Sequence, residues 1–312
     1  IFRAALKERA GLYHFHDPEL IPIGILLKLL GKTVIYDVHE DLPRQILGKY
    51  WIPGWMRPLV MRAAGPAEYI GPAMFDGVIG ATPDIARRFP RKKTVIVRNF
   101  PLLDEFTAVE TRPYNQRPMV IAYIGLLSEF RGLKEMINVA GLLPESLCVR
   151  LKLAGNFSPP GLEAQMSLVP GWEKVEYLGQ QSREGVARLL AEARAGLVLL
   201  HPRPNYLTSL PVKLFEYMAA GIPVVASDFS LWRGIVQKAG CGLSVDPLDP
   251  RAVVEAVTWL IEHPLEAEAM GRRGREAVLG YYNWNSEAEK LLELYENLLG
   301  RGTAGRGVCA SG

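Results

Sequence analysis

The stretch "SLPVKLFEYMAAGIPVVASD" at residues 209–228 predicts a helix that runs directly into a buried strand. On a helical wheel, Lys213 and Glu216 fall with Ala220 on the side opposite an apolar stripe. That stripe consists of Leu214, Phe215, Met218 and Ala219. Two charged residues on one turn of an otherwise apolar helix therefore require an explanation.

Individual residues predict where this helix begins and ends. Ser209 fits an N-cap, Pro211 is tolerated in the first turn, and Gly221 ends the helix. A helix N-terminus presents free amide groups and positive dipole, so the turn around Thr208, Ser209 and Leu210 suits an anion such as a diphosphate.

Lys213 and Glu216 have two readings. In the first, Lys213 adds a point charge to the bound anion, and Glu216 accepts hydrogen bonds from the vicinal hydroxyls of a ribose. In the second, the pair is a salt bridge on a solvated face and contributes about 0.2–0.5 kcal/mol. The helix pattern alone does not decide between ligand binding and a solvated salt bridge.

Around this stretch, short β-branched runs alternate with amphipathic helical segments. Continuous apolar strands interleaved with helices predict parallel sheets covered on both faces, the doubly wound α/β class. Nine strands suit two such sheets. They lie in the segments 32–38, 75–81, 94–99, 119–125, 147–155, 175–179, 196–202, 223–228 and 242–247.

The domain limits follow from composition. A segment rich in Pro and charge at 101–118 separates a partial N-terminal domain, 1–107, from a C-terminal domain, 108–285. A helix at 286–300, with Ser286 as N-cap, is expected to pack back toward the N-terminal domain, and 301–312 reads as a flexible tail. Because the chain starts at Ile1 in what looks like mid-helix, we expect the N-terminal domain to be incomplete.

Composition excludes several classes of protein. The 312 residues are 49% hydrophobic and 22% charged with a net charge of +3, which argues against disorder and against nucleic acid as a partner. Three scattered cysteines without a C-x-x-C pair suggest neither a disulfide framework nor a zinc site, and favour a cytosolic location. No run of 18 apolar residues is present; the longest, 20–31, reads as a core helix.

Three motifs do not match a known binding site or match it only weakly. "LLGKTV" at 29–34 lacks the first glycine of a phosphate loop and runs from helix to strand, and no G-x-G-x-x-G follows a strand. His14 and His16 share one face of a strand and could ligate a metal. Because the sequence shows no third ligand, we interpret His14 and His16 as histidines at the end of a strand, and we expect no metal site.

The segments "PVKLFEYMAAGIPVVASD" at 211–228 and "CGLSVDPLDP" at 241–250 resemble the donor-binding region of GT-B glycosyltransferases, specifically the retaining family 4, or group 1, enzymes. The resemblance implies two Rossmann-like domains facing a cleft. It also implies that Glu216, the second Glu of a Glu-x7-Glu pattern, holds the nucleotide ribose. Thr208 stands where that family has the first Glu, which usually contacts the donor sugar.

A second resemblance lies in "AYIGLLSEFRGLKEM" at 122–136. In that family a glycine-containing turn follows the first strand of this domain, and Arg and Lys side chains reach the donor diphosphate. Gly125 and Arg131 match that turn, whereas Leu126 stands where an Arg is often found, so Lys134 and Lys213 are possible replacements. Arg131 could instead be a solvated residue at a helix start. The turns at Gly155 and Gly179 are further donor-side candidates, the latter toward the base.

In the N-terminal half, "VIYDVHEDLP" at 34–43 resembles the same family. There a His after the corresponding strand lies by the reacting sugar, which implies a catalytic role for His39; the alternative is a structural histidine satisfied by local backbone. Glu40 and Asp41 could orient the acceptor, and His16 with Asp17 are further acceptor-side candidates.

The implied reaction moves a sugar from a UDP- or GDP-sugar to a saccharide or lipid-linked acceptor, with retention and without a cofactor or an essential metal ion. Arg131, Lys213 and His39 are the implied catalytic residues. A nucleotide-sugar epimerase and a catalytically weak binding protein are the alternatives. The segment 48–65, which mixes Trp51 and Trp55 with arginines, suits either peripheral contact with the inner face of a membrane or an ordinary cover helix.

Overall fold

The structure is a computed structural model that describes residues 1–39, 53, 55, 70–107 and 112–304, the last four of these as backbone only. The chain divides into two compact units. The N-terminal unit comprises Ile1–Asn99 with Asn285–Gly312, and the C-terminal unit comprises Phe100–Trp284. The first unit thus ends upstream of the predicted limit at residue 107, and the final helix is grouped with it.

The sheet of the N-terminal unit has four parallel strands in the order β1-β2-β3-β4. Strand β1 pairs with β2 so that Phe15 lies opposite Tyr36. Because the register continues past the strand end, His16 comes next to Asp37. The strands are β1 (Leu12–Phe15), β2 (Thr33–Val38), β3 (Gly77–Gly80) and β4 (Thr94–Ile96).

The sheet of the C-terminal unit has six parallel strands in the order β10-β9-β8-β5-β6-β7. Counted within the unit, this is the 3-2-1-4-5-6 order of a doubly wound fold, and the direction of winding reverses between β5 and β8. Open sheets of this kind bind ligands outside the carboxyl ends of the strands at that reversal. The strands are β5 (Val120–Ile124), β6 (Arg150–Ala154), β7 (Val175–Tyr177), β8 (Ala195–Val198), β9 (Val224–Ser227) and β10 (Gly242–Val245).

Helices pack on both faces of this second sheet. Ala122 and Ile124 of β5 belong to one buried core together with Phe215, whereas Ile121 and Tyr123 belong to a second core. Alternate residues of one strand thus face opposite cores, which explains its continuous apolar sequence. The helices of the described residues are α1 (Phe2–Lys7), α2 (Ile21–Leu29), α3 (Pro83–Ala86), α4 (Asp104–Thr107), α5 (Leu133–Leu142), α6 (Leu162–Met166), α7 (Arg183–Glu192), α8 (Pro204–Leu207), α9 (Val212–Ala219), α10 (Ser230–Ala239), α11 (Pro250–Glu262), α12 (Pro264–Gly280) and α13 (Trp284–Ala304).

The predicted α/β class with two parallel sheets is confirmed, and the reversal of a doubly wound sheet is seen in the C-terminal unit; among the described residues all nine predicted strands are present, together with β1. Two predicted helix starts are wrong. Helix α9 begins at Val212 with Pro211 as its N-cap, so Ser209 lies outside it. Helix α13 begins at Trp284, and therefore Ser286 lies inside the helix instead of capping it.

The predicted core helix at 20–31 is α2, but only part of its apolar surface is buried. Ile21, Gly24 and Leu27 face the core, whereas Leu29 and Leu30 are exposed. Within the described residues no helix combines the length and the apolar content needed to cross a membrane. Glu40, Asp41 and the segment 48–65, apart from residues 53 and 55, lie outside the described residues.

Candidate functional site

Glycines close the first three strands of the C-terminal unit's sheet at its carboxyl edge. Gly125 N–H donates to Ala154 O at 2.8 Å, and Gly155 N–H donates to Gly179 O at 2.8 Å. All three glycines have positive φ, and a Cβ on Gly155 would lie 1.9 Å from Gly125 O. Only glycine permits this approach, so at these positions no side chain covers the backbone.

The turn that follows β5 is held against the end of β8. Its last residue, Gly132, has a φ of 74°, and a Cβ there would lie 1.9 Å from Leu199 O. In the same turn, Phe130 O accepts a hydrogen bond from His201 N–H at 3.0 Å. Arg131 and the start of α5 are therefore fixed at the reversal of strand order.

Tyr217 of α9 fills the gap where β5 and β8 separate. Its hydroxyl accepts from Ile124 N–H at 3.1 Å and donates to Leu197 O at 3.3 Å. A Cβ on Gly196 would lie 2.3 Å from the Tyr217 ring, so that position also requires glycine. Helix α9 is thereby locked to both strands on either side of the reversal.

Lys213 stands at the centre of this edge. Its residue is 7% exposed, its Nζ lies 3.6 Å from the centre of the Tyr123 ring, and a Cβ on Gly125 would lie 3.3 Å from that Nζ. Within the described part of the chain the ammonium has no hydrogen-bond partner. Burial, and next the charge of Arg131, lowers the pKa of Lys213 well below its usual range, although Glu216 acts in the opposite sense.

We refer to Lys213, Tyr123, Gly125 and Arg131 as the Lys213 cluster. A buried ammonium without a counter-ion is costly, because neither water nor an anion replaces its lost solvation. Within the described residues no carboxylate bonds to Lys213, so the cluster has positive charge without a bonded anion there. Sequence reasoning placed three of the four residues here and missed Tyr123, which its position one residue before the end of β5 could have indicated.

Glu216 is also buried, with 6% of the residue exposed. Its Oε1 accepts a hydrogen bond from Arg183 Nη1 at 2.6 Å, and Arg183 Nε donates to Glu105 Oε2 at 3.1 Å. The hydrogen bond to Glu105 raises the pKa of Arg183, burial opposes that effect, and Glu216 adds to it. The alternative of a salt bridge on a solvated face is therefore wrong for both Lys213 and Glu216. Arg183 and Glu105 were not predicted.

The turn before α9 differs from its predicted form. Ser209 makes no cap; its hydroxyl donates to Tyr206 O at 3.2 Å, because the helix starts three residues later. Trp232 Nε1 donates to Ser209 O at 2.7 Å and so fixes the turn. Thr208, Ser209 and Leu210 remain partly exposed ahead of the helix. Lys134, another predicted contact, is exposed on the first turn of α5.

A second group of ionisable residues lies at the carboxyl edge of the N-terminal unit's sheet. Asp37 Oδ2 is 3.0 Å from His16 Nδ1, 3.0 Å from His39 Nε2 and 3.3 Å from His14 Nε2. Burial alone would raise the pKa of Asp37, but the interactions with His14 and His39 outweigh it and lower the pKa to about 2. We refer to these four residues as the Asp37 cluster.

The Asp37 cluster contains two predicted residues, His16 and His39, and two that were not assigned to the acceptor side. His39 is not satisfied by local backbone alone, since its Nδ1 lies 3.0 Å from the Asn99 amide nitrogen, 60 positions away in sequence. Asp17 is exposed next to the cluster and makes no side-chain cap. The signal that could have found Asp37 is the parallel register of β1 and β2.

The chain is similar in sequence and in fold to known glycosyltransferases. The sequence model of the family described as "Glycosyl transferases group 1" matches residues 106–277. The MMP alpha-(1->4)-mannosyltransferase of Mycolicibacterium hassiacum is 23% identical over 303 residues, which cover 92% of this chain and 71% of that protein. The phosphatidyl-myo-inositol mannosyltransferase of Mycobacterium tuberculosis is 26% identical over 302 residues, covering 93% of this chain and 74% of that protein.

Among solved structures, Anabaena Alr3699/HepE in complex with UDP-glucose superposes with a TM-score of 0.72 at 15% identity. The match covers 94% of this chain and 81% of that one. At such low identity the likeness speaks for the fold alone, and it agrees with the two parallel sheets.

Proposed function

The chain belongs to the group 1 glycosyl transferases, and on that premise we propose that it transfers a sugar from a nucleoside diphosphate sugar to an acceptor hydroxyl. The observation that carries the proposal is the buried Lys213 ammonium, which has no hydrogen-bond partner within the described residues. It stands where the strand order reverses, the position at which open α/β sheets bind ligands. A diphosphate supplies the missing negative charge.

The donor diphosphate is proposed to lie against the glycine edge. There Gly125 and Gly155 let an anion approach the backbone closely, while Arg131 and Lys213 provide positive charge. The partly exposed turn at 208–210 lies ahead of α9, where the amide groups of Thr208 and Leu210 could add to the site. Lys134 and the turn at Gly179 remain predictions, the latter for the base. Either a UDP-sugar or a GDP-sugar would supply this diphosphate.

Glu216 is proposed to accept hydrogen bonds from the ribose hydroxyls. Arg183 bonds to Oε1 and so leaves the second carboxylate oxygen for a ligand. Because Arg183 is itself held by Glu105, the carboxylate is oriented before the nucleotide arrives. A preorganised acceptor loses less entropy on binding than a mobile one.

The proposed chemistry is electrostatic. When the bond between the sugar and the diphosphate breaks, negative charge grows on the leaving phosphate, and the Lys213 cluster stabilises that charge in a buried site. By resemblance to family 4, the leaving phosphate assists removal of the acceptor proton, so that no covalent nucleophile is needed and the configuration is retained.

The acceptor is proposed to be a saccharide or a lipid-linked hydroxyl, in polysaccharide or glycolipid synthesis. The names of the two mannosyltransferase relatives support this class. The acceptor-side roles of His39, His16, Asp17, Glu40 and Asp41, and peripheral contact with a membrane, remain predictions.

Two measurements test the proposal. Isothermal titration calorimetry of the full chain with UDP and with GDP should give one site per chain for at least one of the two nucleotides. Incubation with a labelled UDP-sugar and saccharide acceptors, followed by NMR of the anomeric proton, should show transfer with retention. Absence of binding by both nucleotides would overturn the donor site, and an epimerised donor without transfer would favour the epimerase instead.

A further inference from the structure

The Asp37 cluster has geometry that its own hydrogen bonds do not explain. His16 Nδ1, His39 Nε2 and Asp37 Oδ2 form a triangle with sides of 3.0, 3.0 and 3.1 Å. Two ring nitrogens supply at most two N–H groups, and each N–H points at one acceptor. One side of the triangle is therefore a contact between two donors or between two lone pairs.

His14, the fourth residue of the Asp37 cluster, adds a further contact that hydrogen bonds do not explain. His14 Nε2 lies 3.3 Å from the same Asp37 oxygen, yet it is buried and has no hydrogen-bond partner within the described residues. Asp37 Oδ1 is likewise buried and without such a partner there. Three nitrogens thus converge on one carboxylate oxygen that cannot satisfy all of them.

We propose that His14, His16 and Asp37 form a binding site for a divalent transition metal ion of the Zn²⁺ class, with His39 beside Asp37. In a tetrahedral site with metal–ligand distances of about 2.0–2.1 Å, neighbouring ligand atoms are about 3.3–3.4 Å apart. Asp37 Oδ2 lies 3.0 Å from His16 Nδ1 and 3.3 Å from His14 Nε2, close to that spacing, and the ligand atoms of the three residues lie within 4.8 Å of one another. A cation between these three residues accepts a lone pair from each of them, which leaves His39 Nε2 to donate its proton to Asp37 Oδ2.

The surroundings of the cluster suit a metal site. The Tyr295 hydroxyl is 2.6 Å from His14 Nδ1, and it can accept that proton so that Nε2 keeps its lone pair. The Asn99 amide nitrogen, 3.0 Å from His39 Nδ1, can donate to that ring nitrogen, so the proton of His39 stays on Nε2. Such contacts orient imidazole ligands in metal proteins.

Ligand chemistry decides the class of ion. Imidazole nitrogens with one carboxylate favour Zn²⁺ and similar ions, whereas Mg²⁺ and Ca²⁺ prefer oxygen ligands. The side chain of His16 is 58% exposed and that of His39 is 34% exposed, so an ion can enter from solvent. No step of the proposed sugar transfer is routed through this ion.

The test uses the full chain after removal of metal with a chelator. Zn²⁺ titrated by calorimetry should bind at one ion per chain, and Co²⁺ should give the visible absorption of tetrahedral coordination. His14→Gln and His16→Gln should each weaken Zn²⁺ binding by at least about tenfold, since even outer-shell changes cost 10- to 100-fold. His263→Gln, an exposed histidine of the C-terminal unit, serves as the matched control.

Circular dichroism shows whether each variant folds, and His16→Gln keeps the test valid if His14→Gln does not, because His16 is exposed. No Zn²⁺ binding by the wild type, or equal losses in all three variants, would overturn the site. UDP binding by His14→Gln should be unchanged, so the metal site and the donor site can fail independently.

Discussion

The Lys213 cluster and the Asp37 cluster both lie at the carboxyl ends of parallel strands, but they balance charge in opposite ways. Lys213 is a buried cation beside a second cation, Arg131, with no hydrogen bond of its own among the described residues. Asp37 is a buried anion surrounded by three imidazoles. The described residues leave the first cluster without a bonded anion and place the second around a carboxylate, which is why we propose an anionic ligand for one and a cation for the other.

The two clusters also differ in what supports them. The Lys213 cluster depends on backbone contacts that only glycine permits, whereas the Asp37 cluster depends on side chains brought together by strand register. Substitutions that force the backbone apart should therefore disrupt the Lys213 cluster more than the Asp37 cluster. Substitutions that change a charge should affect both clusters.

The largest effect is expected for Gly155→Ala. The new Cβ would lie 1.9 Å from Gly125 O, so the edges of β5 and β6 must separate, and we expect a loss of about 4 kcal/mol or more in the free energy of unfolding. Gly161→Ala is the matched control, because Gly161 has a φ of 86° but nothing within 4 Å of its added Cβ. It should lose about 1–2 kcal/mol. Urea unfolding measures both, and equal losses would contradict the backbone argument.

Lys213→Met should come next. Loss of a preorganised cation at the diphosphate is expected to lower kcat/KM by about 10²- to 10³-fold. At the same time the unfolding temperature should stay the same or rise, because an unpaired buried charge is replaced by an apolar side chain of similar length. A variant that loses activity and stability together would show that Lys213 is a structural residue.

Lys238→Met is the matched control for this pair of measurements. Lys238 also lies near an aromatic ring, 6.0 Å from the centre of Tyr281, but it is exposed. Neither kcat/KM nor the unfolding temperature should change appreciably. A comparable loss of activity in Lys238→Met would mean that general surface charge, and not the buried site, attracts the donor.

The sequence predicted the local features of the Lys213 cluster well. Helix α9, its two charged residues and the glycine turn after β5 all lie in short segments whose pattern is set by neighbours in the chain. The partners of Glu216 were missed because Arg183 is 33 positions away, and the link from Arg183 to Glu105 spans a further 78. Ion pairs between distant helices leave no periodic signal.

The Asp37 cluster was only half predicted for a related reason. His14 and His16 were recognised as possible metal ligands and His39 as a catalytic residue, but Asp37 was missed because it lies on the neighbouring strand, which His39 follows 23 positions from His16. Only the pairing of β1 with β2 brings them together. The start of α9 was misplaced because Ser209, Pro211 and the residues between them all suit the first turn, and packing of Trp232 on that turn decided the outcome.

A smaller effect is expected from pH at Asp37. The pKa of this carboxyl is lowered from 3.8 to about 2, so its ionised form stabilises the folded state. That contribution is fully present above about pH 4, is lost as the pH falls toward 2, and amounts to about 2 kcal/mol. The difference in unfolding free energy between the wild type and Asp37→Asn, measured without added metal, should therefore shrink by roughly half between pH 5 and pH 3. A difference that stays constant would show that the carboxylate is not the stabilising form.

The smallest effect is expected for Glu216→Gln. The amide keeps the shape of the side chain but loses the charge that attracts ribose hydroxyls, and we expect UDP affinity to fall about tenfold, or about 1.4 kcal/mol. Glu105→Gln is the informative control, because Glu105 bonds to the same Arg183 and yet leaves the bond between Arg183 and Glu216 in place. Calorimetry with UDP should separate the two variants by that factor. If both lower the affinity equally, Arg183 is the nucleotide contact and Glu216 only positions it; if neither does, the ribose lies elsewhere and the contrast between the clusters rests on Lys213 alone.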